Sequence, residues 1–276
     1  MERKIQIHRM NNSSACLSLL DSDADGEFMC CVQQNDEDIY AVISKETVVG
    51  LALAAPAEDA YLYLYIFPQY RQGGFGTAAV TLLEKLLQEK GAQRIQTCYR
   101  SDNSAAHRFT ERVGYHARFA SSYMTYGGKG WTLPDLPIRS YQSRDFEEAH
   151  AMCADAFHQM RLQTGWFPDS KPEQPDNETR SYWDNTADRR FVYTQGSEIV
   201  GTLLLEGNEI GAVAMKQACQ GNGIGTMLVQ FAVNRLLSDG CKEVALYCVV
   251  GNPARHLYDK LGFCEQYRNT YAEKKL

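Results

Sequence analysis

The chain has 276 residues and a formal net charge of −6, with 22% charged and 44% hydrophobic residues. This composition is typical of a globular protein, and the length suits two domains of ordinary size, each able to bury its own core. The negative charge provides no broad basic surface for a phosphate backbone, so nucleic acid is excluded as an expected partner.

The beginning of the chain and its cysteines both indicate a cytoplasmic protein. The opening MERKIQIHRM has charges but no apolar run like that of a secretory signal. The nine cysteines form no CxxC pair and no metal-ligand spacing, so free thiols and no bound metal are expected. The most apolar stretch, Val48 to Phe67, is interrupted by Pro56, Glu58 and Asp59, which favours two strands over a membrane span.

The first half of the chain reads as strands, a glycine-rich loop, a helix, a strand and a second helix. Alternating apolar residues predict strands in DIYAVISKETVVGLALAA and AYLYLYIF. The loop RQGGFGTAA follows, and the apolar residues after it keep a 3.6-residue period that predicts a helix ending near Gly91. RIQTCYR is a predicted strand and the next helix ends near Gly114. The glycine- and proline-rich GGKGWTLPDLP is the predicted linker.

The second half repeats this order. After a strand and a helix in IRSYQSRDFEEAHAMCADAF comes a long proline-containing loop at 164–176, of a kind that often shapes substrate pockets. Strands are predicted in RRFVYTQGSEIVGTLLLEG and EIGAVAM, followed by the loop QGNGIGTML, a helix up to Gly240, the strand EVALYCVV and a helix up to Gly262. The loops begin at Arg71 and Gln220, 149 residues apart, which predicts two related units of mixed α/β class.

Glycines placed before a helix suggest that each loop binds an anionic group. The first turn of a helix has backbone N–H groups without partners and carries a partial positive charge. Glycines let such a backbone approach a diphosphate closely. The nucleotide-hydrolysing P-loop does not fit, because no lysine precedes Thr77 or Thr226. A dinucleotide-binding loop fits poorly, because no acidic residue ends EVALYCVV. A purely structural strand-to-helix turn stays open as an alternative.

Motifs in both halves resemble the GNAT superfamily of acyl-CoA-dependent acyltransferases. The pattern Arg/Gln-x-x-Gly-x-Gly begins at Arg71 and at Gln220, and YIFPQYRQGGFG is similar to the family's strand end and CoA pyrophosphate loop. NPARHLYDKLGF is similar to the family's later helix, and NSAAHRFTERVGY resembles a degraded copy. The resemblance implies two tandem GNAT-like domains, at residues 1–130 and 137–276, each a mostly antiparallel mixed sheet flanked by helices. It also implies acetyl-CoA as the acyl donor.

The resemblance further implies which residues contact this donor. In the second half they belong to a splayed strand, the glycine loop and the start of the later helix: Val213, Met215, Gln220, Gly221, Asn222, Gly223, Ile224, Gly225, Thr226 and Asn252. In the first half they belong to the glycine loop: Arg71, Gln72, Gly73, Gly74, Phe75, Gly76 and Thr77. Asn252 and Pro253 also suit the first positions of a helix. One departure from the family pattern is Gln217, which stands where a proline is expected.

The same resemblance gives a candidate acid and a candidate base in the second half. Tyr258 matches the family's tyrosine beside the CoA sulfur, where it protonates the departing thiolate, whereas the first half has Thr110. Glu209 matches a glutamate that deprotonates the attacking amine through water, whereas the first half has Ala60. Each has an ordinary alternative. Tyr258 also fits the apolar stripe of a packed helix, and a carboxylate at a strand start is usually solvated.

Together these features predict an acetyl-CoA-dependent N-acetyltransferase that moves an acetyl group to a primary amine of a small molecule or peptide by direct attack. The chemistry is expected in the 137–276 domain, because the 1–130 domain lacks the catalytic tyrosine. No membrane partner is expected, and the sequence carries no signal for the oligomeric state. The alternatives are a non-catalytic CoA-binding sensor and a structural pair of domains that binds no nucleotide.

Overall fold

The computed structural model describes residues 4–10, 18–20, 38–167 and 169–276. The chain divides into two compact units. The first contains the residues up to Ala120 together with Asn269–Leu276, and the second contains Ser121–Arg268. Each unit is a mixed β-sheet with helices packed against it, which confirms the mixed α/β class expected from the sequence.

The first unit follows the element order that its sequence predicts. Its helices and strands are β1 (Gln6–Met10), β2 (Ile39–Ser44), β3 (Thr47–Ala55), β4 (Asp59–Ile66), α1 (Phe75–Glu89), β5 (Arg94–Arg100), α2 (Ser104–Arg112) and the beginning of β6 (His116–Tyr126). The apolar stretch from Val48 to Phe67 is therefore two strands, as predicted. Helix α1 starts inside the first glycine loop and ends just before Gly91, which confirms the helix predicted from its period.

The second unit repeats the order seen in the described part of the first unit, and two helices precede its central strands. After the end of β6 it contains β7 (Ile138–Ser140), α3 (Phe146–Thr164), α4 (Asn177–Asn185), β8 (Arg190–Gln195), β9 (Glu198–Glu206), β10 (Glu209–Met215), α5 (Ile224–Ser238), β11 (Val244–Val249), α6 (Arg255–Leu261) and the start of β12 (Cys264–Lys275). The predicted long loop lies between α3 and α4. The predicted linker at 127–137 contains neither helix nor strand.

The two sheets share one topology. The strand order is β1-β2-β3-β4-β5-β12 in the first unit and β7-β8-β9-β10-β11-β6 in the second. The neighbouring strands pair antiparallel except for β4–β5 and β10–β11, which are parallel. A parallel pair needs a crossover connection, and α1 and α5 form that connection. Each glycine loop therefore lies at the end of the first strand of the parallel pair.

The last strand of the chain completes the sheet of the first unit. Residues 269–275 of β12 pair antiparallel with β5, and Lys274 Nζ donates a hydrogen bond of 2.8 Å to the Glu84 carboxylate on α1. The compact units therefore differ from the ranges 1–130 and 137–276 expected along the sequence. The reason is that pairing between segments far apart in the chain leaves no local pattern.

Helices cover both faces of the second sheet. The apolar face of α5 packs on β9, β10 and β11, and α3 packs on the opposite face. In the first unit, α1 packs on one face of the sheet, as α5 does in the second. No helix within the described ranges is long and apolar enough to cross a membrane. The buried residues of α5 are Ile224, Leu228, Val229, Ala232, Val233 and Leu236.

Truncation of Leu228 to Ala should destabilise the second unit by about 2 to 5 kcal/mol, because removing a buried Leu side chain leaves a cavity. Leu228 is 0% exposed, and its Cδ1 atom lies 2.9 Å from the position of a Cβ built on Gly201. The midpoint of urea unfolding, followed by intrinsic fluorescence, measures the loss. The matched control is Leu162→Ala on α3, a side chain that is 40% exposed and should change stability by roughly 0.5 kcal/mol or less. Equal shifts for both variants would contradict the assignment of Leu228 to the core.

Candidate active site

A wedge opens between β10 and β11 in the second unit. These parallel strands pair only at Glu209 with Ala245 and at Ile210 with Leu246. The register of β10 on β9 shifts at Gly211, which bends the strand. Beyond this bulge the edge of β10 that faces away from β9 is not paired with another described strand. The wedge therefore exposes backbone at the centre of the unit.

Backbone amides of β10 point into this wedge. The amide of Lys216 donates to Val200 O of β9 at 3.0 Å. Successive residues of a strand direct their backbone groups to opposite sides. The amides of Met215 and Val213 therefore face away from β9, toward the open edge. The first unit has the same arrangement, because β4 and β5 pair only over 59–61.

The second glycine loop brings unpaired amides to the mouth of the wedge. A one-turn 3₁₀ helix at Gln217–Cys219 follows β10, although Gln217 replaces the proline of the family motif. The loop then passes through left-handed backbone at Gly221 and Gly223, with φ of 79° and 81°, and α5 begins at the next residue, Ile224. Among the described residues, none accepts a hydrogen bond from the amides of 222–226. This cluster of donors at a helix N-terminus fits a diphosphate.

The first loop has the same backbone path with different side chains. Gly74 caps α1 at φ 84°, and Gln72 occupies the left-handed position at φ 60° that corresponds to Gly221. Arg71 Nε donates to Ile66 O at 2.9 Å, and its guanidinium lies 5.3 Å from the centroid of the Tyr65 ring. A non-glycine residue in left-handed backbone carries some strain, so the first loop is the less relaxed of the two.

Close packing around Gly225 links the loop to helix α6. A Cβ built on Gly225 would lie 3.0 Å from Met215 Sδ and 3.4 Å from Leu257 Cδ1. A larger residue would have to displace one of these side chains. Helix α6, which contains both Leu257 and Tyr258, therefore packs against the start of α5. Gly76 is the corresponding residue of the first unit, and a Cβ built there would lie against the ring of Phe109.

Helix α6 begins later than its sequence suggests. The expected first position is Pro253, with Asn252 as N-cap, but the helix starts at Arg255. The cause is a tight turn in which the Arg255 amide donates to Asn252 O and the Ala254 amide donates to Asn252 Oδ1, at 3.0 Å and 2.9 Å. Asn252 thus caps a turn that precedes the helix, and it lies in the short connection between β11 and α6.

Tyr258 packs against the core of the second unit. Its ring packs edge-on against Phe263, with centroids 6.0 Å apart, and none of the described residues hydrogen-bonds its hydroxyl. Burial, followed by the neighbouring Cys248 thiol, raises the pKa of Tyr258 well above that of a free phenol. The hydroxyl therefore keeps its proton at neutral pH. In the first unit, Thr110 donates its hydroxyl to Ala106 O at 2.8 Å, which ties it to its own helix.

Glu209 begins β10 beside a second carboxylate. It is half-buried and stands opposite Glu206 of β9. Burial, followed by the like charge of Glu206, raises its pKa above the ordinary value. Its strand partner Ala245 is three residues before Cys248, about 10 Å along β11. Glu209 therefore lies at the paired end of β10 and β11, where the wedge begins.

Each unit contains a large cavity. In the first, a cleft of about 1130 Å³ runs past the glycine loop and is lined by Thr110 and by Arg71. In the second, a cavity of about 530 Å³ lies on the α3 and α4 side of the sheet, and Glu173 of the predicted pocket-forming loop lines it. Its other polar lining residues, among them Arg190 and Glu206, were not identified from sequence. No motif or spacing marks them, because α3, α4, β8 and β9 each contribute some of them.

A family model matches both halves of this chain, and two curated proteins match part of it. The family model described as Acetyltransferase (GNAT) family matches the chain twice, at residues 8–115 and 157–263. A mycothiol acetyltransferase from Corynebacterium glutamicum is 34% identical over 98 residues, which cover 33% of this chain and 33% of that protein. A mycothiol acetyltransferase from Corynebacterium efficiens is 30% identical over 129 residues, covering 44% and 41%. The matched segments thus span less than half of either relative.

Solved structures share the fold over nearly the whole chain. A GCN5-related N-acetyltransferase from Sphaerobacter thermophilus superposes with a TM-score of 0.70 at 19% identity, covering 98% of this chain and 95% of that one. A tandem GNAT protein from the clavulanic acid biosynthesis pathway gives a TM-score of 0.65 at 14% identity, covering 99% and 98%. At these identities the likeness concerns the fold alone.

Proposed function

The chain belongs to the GNAT acetyltransferase family and is an acetyltransferase, and we propose that its second unit transfers an acetyl group from acetyl-CoA to a primary amine of a small molecule or peptide. The chemistry is direct attack of the amine on the thioester. The names of the curated relatives, both mycothiol acetyltransferases, support acetyl transfer as the reaction class.

The observation that carries this proposal is the chemical asymmetry of two similar wedges. Both units have a glycine loop, a helix N-terminus and a splayed parallel strand pair. The second unit adds a protonated phenol, Tyr258, and a carboxylate with a raised pKa, Glu209. The corresponding positions of the first unit hold Thr110, whose hydroxyl is bonded to its own helix, and the fully buried Ala60.

The residues of the second unit supply each part of the reaction. Bound acetyl-CoA provides an activated acetyl group as a thioester. The amides of 222–226 and the N-terminal end of α5 hold its diphosphate, and the amides of Val213 and Met215 stabilise the charge that develops on the carbonyl oxygen. Glu209 accepts the proton of the attacking amine, directly or through water. Tyr258 donates its proton to the sulfur as the carbon–sulfur bond breaks.

The first unit has a binding role in this proposal. Its cleft of about 1130 Å³ passes the first glycine loop, and its helix α1 offers a similar N-terminus, so it holds CoA without turning it over. The sensor alternative differs at one point, because a sensor would bind in both units and catalyse in neither.

Thiol release from acetyl-CoA across a panel of amines tests the proposal on the intact chain. The expected result is amine-dependent release of one free thiol for each acetylated amine. Mass spectrometry of the product identifies the acetylated nitrogen. Tight binding of acetyl-CoA with no release for any amine would favour the sensor alternative, and no binding at all would favour a structural pair of domains.

Replacement of Glu209 by Gln should remove the pH dependence that this carboxylate contributes. The raised pKa of Glu209 means that the base is ionised above that pKa and loses activity as pH falls through it. We expect kcat/KM to fall about 100-fold or more at neutral pH, the usual range for loss of a general base. The ratio of wild type to Glu209→Gln should shrink toward acid pH. Because the ratio cancels the titration of the acceptor amine, a ratio independent of pH would contradict the role of Glu209 as base.

A further inference from the structure

The cavity beside α3 and α4 contains a buried cation without an acidic partner. Arg190 is 3% exposed and lines this cavity. Its Nη2 donates to Thr186 Oγ1 at 3.2 Å, and its guanidinium lies 3.8 Å from the centroid of the Trp183 ring. Its buried Nε has no acceptor, and within the part of the chain that the structure describes no carboxylate forms an ion pair with it.

Such a group is unfavourable unless something else binds it. Removing a guanidinium from water without a paired anion is unfavourable. The contact with Trp183 offsets part of this cost by cation–π attraction. Burial accordingly lowers the pKa of Arg190. Since the guanidinium borders a cavity, an anionic group of a ligand in that cavity can supply the missing partner.

Two carboxylates on the same face of the sheet form an excess of negative charge. Glu206 and Glu209 are direct cross-strand neighbours of β9 and β10, and the charge of Glu206 raises the pKa of Glu209. Like charges directly opposite each other destabilise a sheet. The Tyr182 hydroxyl donates to Glu206 Oε1 at 2.7 Å, which satisfies one oxygen. An ammonium group placed against the pair would relieve the remaining repulsion.

Strand pairing fixes how far apart these two features lie. Arg190 of β8 stands opposite Leu204 of β9, and Glu206 is two residues farther along β9 on the same face. Such diagonal positions are roughly 8 Å apart between Cα atoms. Ala212, on the other side of Leu204, lies just beyond the bulge in β10 and lines the same cavity. One small molecule in the cavity can therefore reach the cation, the Glu206 carboxylate and the bulge together.

We propose that this cavity selects amino acids as acetyl acceptors, with the carboxylate bound by Arg190 and the amine held beside Glu206 and Glu209. This inference rests on the proposed function and names the substrate class of that same site. In the transfer, the amine nitrogen bonds to the acetyl carbon and the carbon–sulfur bond breaks. The bound ammonium gives one proton to Glu209 before the attack, and the second proton leaves the nitrogen after the attack and replaces the proton that Tyr258 gives to the sulfur. The carboxylate of the acceptor is unchanged.

Matched acceptors test the inference on the wild-type enzyme. For a panel of amino acids, kcat/KM is compared with that of the corresponding carboxamides, after correction for the fraction of neutral amine. We expect the carboxylates to be preferred about 10- to 100-fold, the usual worth of a charge-assisted hydrogen bond to a buried group. Equal or higher values for the carboxamides would overturn the inference, as would equal activity with the aminophosphonic analogues, which would indicate a general anion site.

Variants of Arg190 test whether this residue causes the preference for amino acids over carboxamides. Arg190→Gln should lower kcat/KM for amino acids about 10- to 100-fold more than kcat/KM for carboxamides, and Arg190→Lys should restore part of the preference. The matched control is Arg189→Gln. Arg189 is the neighbouring residue, and its Nη1 pairs with Asp239 at 2.9 Å outside the cavity. The control should keep the full preference. A preference that survives in a folded Arg190→Gln enzyme would overturn the inference.

A binding signal separates this inference from the proposed function. Because Arg190 stacks on Trp183, carboxylate binding should change the fluorescence of Trp183, and Trp183→Phe should abolish the change. Saturable signals from amino acids and none from carboxamides would support the cavity assignment even if no thiol were released, a result that would refute the proposed function alone. Thiol release with neutral amines and no signal from amino acids would refute this inference alone.

Discussion

Replacing Tyr258 by Phe is expected to lower kcat for thiol release by about 100-fold or more, the range usual for loss of a general acid. The affinity for acetyl-CoA should change by less than about twofold. The substitution removes only the hydroxyl, and the ring can keep its edge contact with Phe263. Because none of the described residues hydrogen-bonds this hydroxyl, its removal leaves no described partner unsatisfied. Single-turnover kinetics at saturating acetyl-CoA measure the effect on the chemical step.

The matched control for Tyr258→Phe is Thr110→Val in the first unit. Thr110 occupies the corresponding position of α2 and bonds to Ala106 O. Its replacement should leave kcat within about twofold of wild type, because the first unit is proposed to bind and not to catalyse. A large loss in Thr110→Val with little loss in Tyr258→Phe would move the chemistry to the first unit. Equal losses in both would indicate that the substitutions act through stability.

A carboxylate at the second glycine loop should weaken acetyl-CoA binding through charge repulsion. Gly223 has left-handed backbone at φ 81°, and a Cβ built there meets no atom within 4 Å. Asn and Asp tolerate this backbone better than other side chains. Gly223→Asp and Gly223→Asn therefore differ mainly in one negative charge. A charge about 6 Å from one charge of the diphosphate is worth about 3 kcal/mol near a protein surface, or roughly 100-fold in Kd.

Calorimetry with the Asp and Asn variants gives this difference directly. The difference should shrink as salt is added, because exposed charges are screened. The same pair at Gly74 of the first loop, whose φ is 84°, is the internal control, and it should leave kcat/KM for thiol release nearly unchanged. Similar Kd values for Gly223→Asp and Gly223→Asn would contradict binding of the diphosphate at this loop.

The parts of the molecule that the sequence predicts well are those with a local pattern. Helices α1 and α5 follow a 3.6-residue apolar period between two glycines, and the structure bounds them at Phe75–Glu89 and Ile224–Ser238. The glycine loops are also a local signal. The residue before each helix has left-handed backbone, which glycine adopts easily, and Gly74 and Gly223 occupy these positions. The repeat of these signals at a fixed interval predicts two related units, and the family match over both halves confirms them.

The features that the sequence does not predict depend on contacts between distant segments. The pairing of residues 269–275 with β5 in the first unit is one example. Arg190 is another example. In the sequence it looks like an ordinary exposed arginine at the start of a strand, and its burial depends on Trp183, which belongs to α4. The start of α6 at Arg255 also differs from the expected Pro253, since Asn252 closes a tight turn first.

A structure of the intact protein with bound coenzyme A tests the central claim most directly. The distance to measure joins the CoA sulfur to the hydroxyl oxygen of Tyr258. We expect the diphosphate on the amides of 222–226 and the sulfur within hydrogen-bonding reach of that hydroxyl, directly or through one water. Coenzyme A bound at the first loop alone, or a sulfur that lies outside the wedge between β10 and β11, would contradict the account.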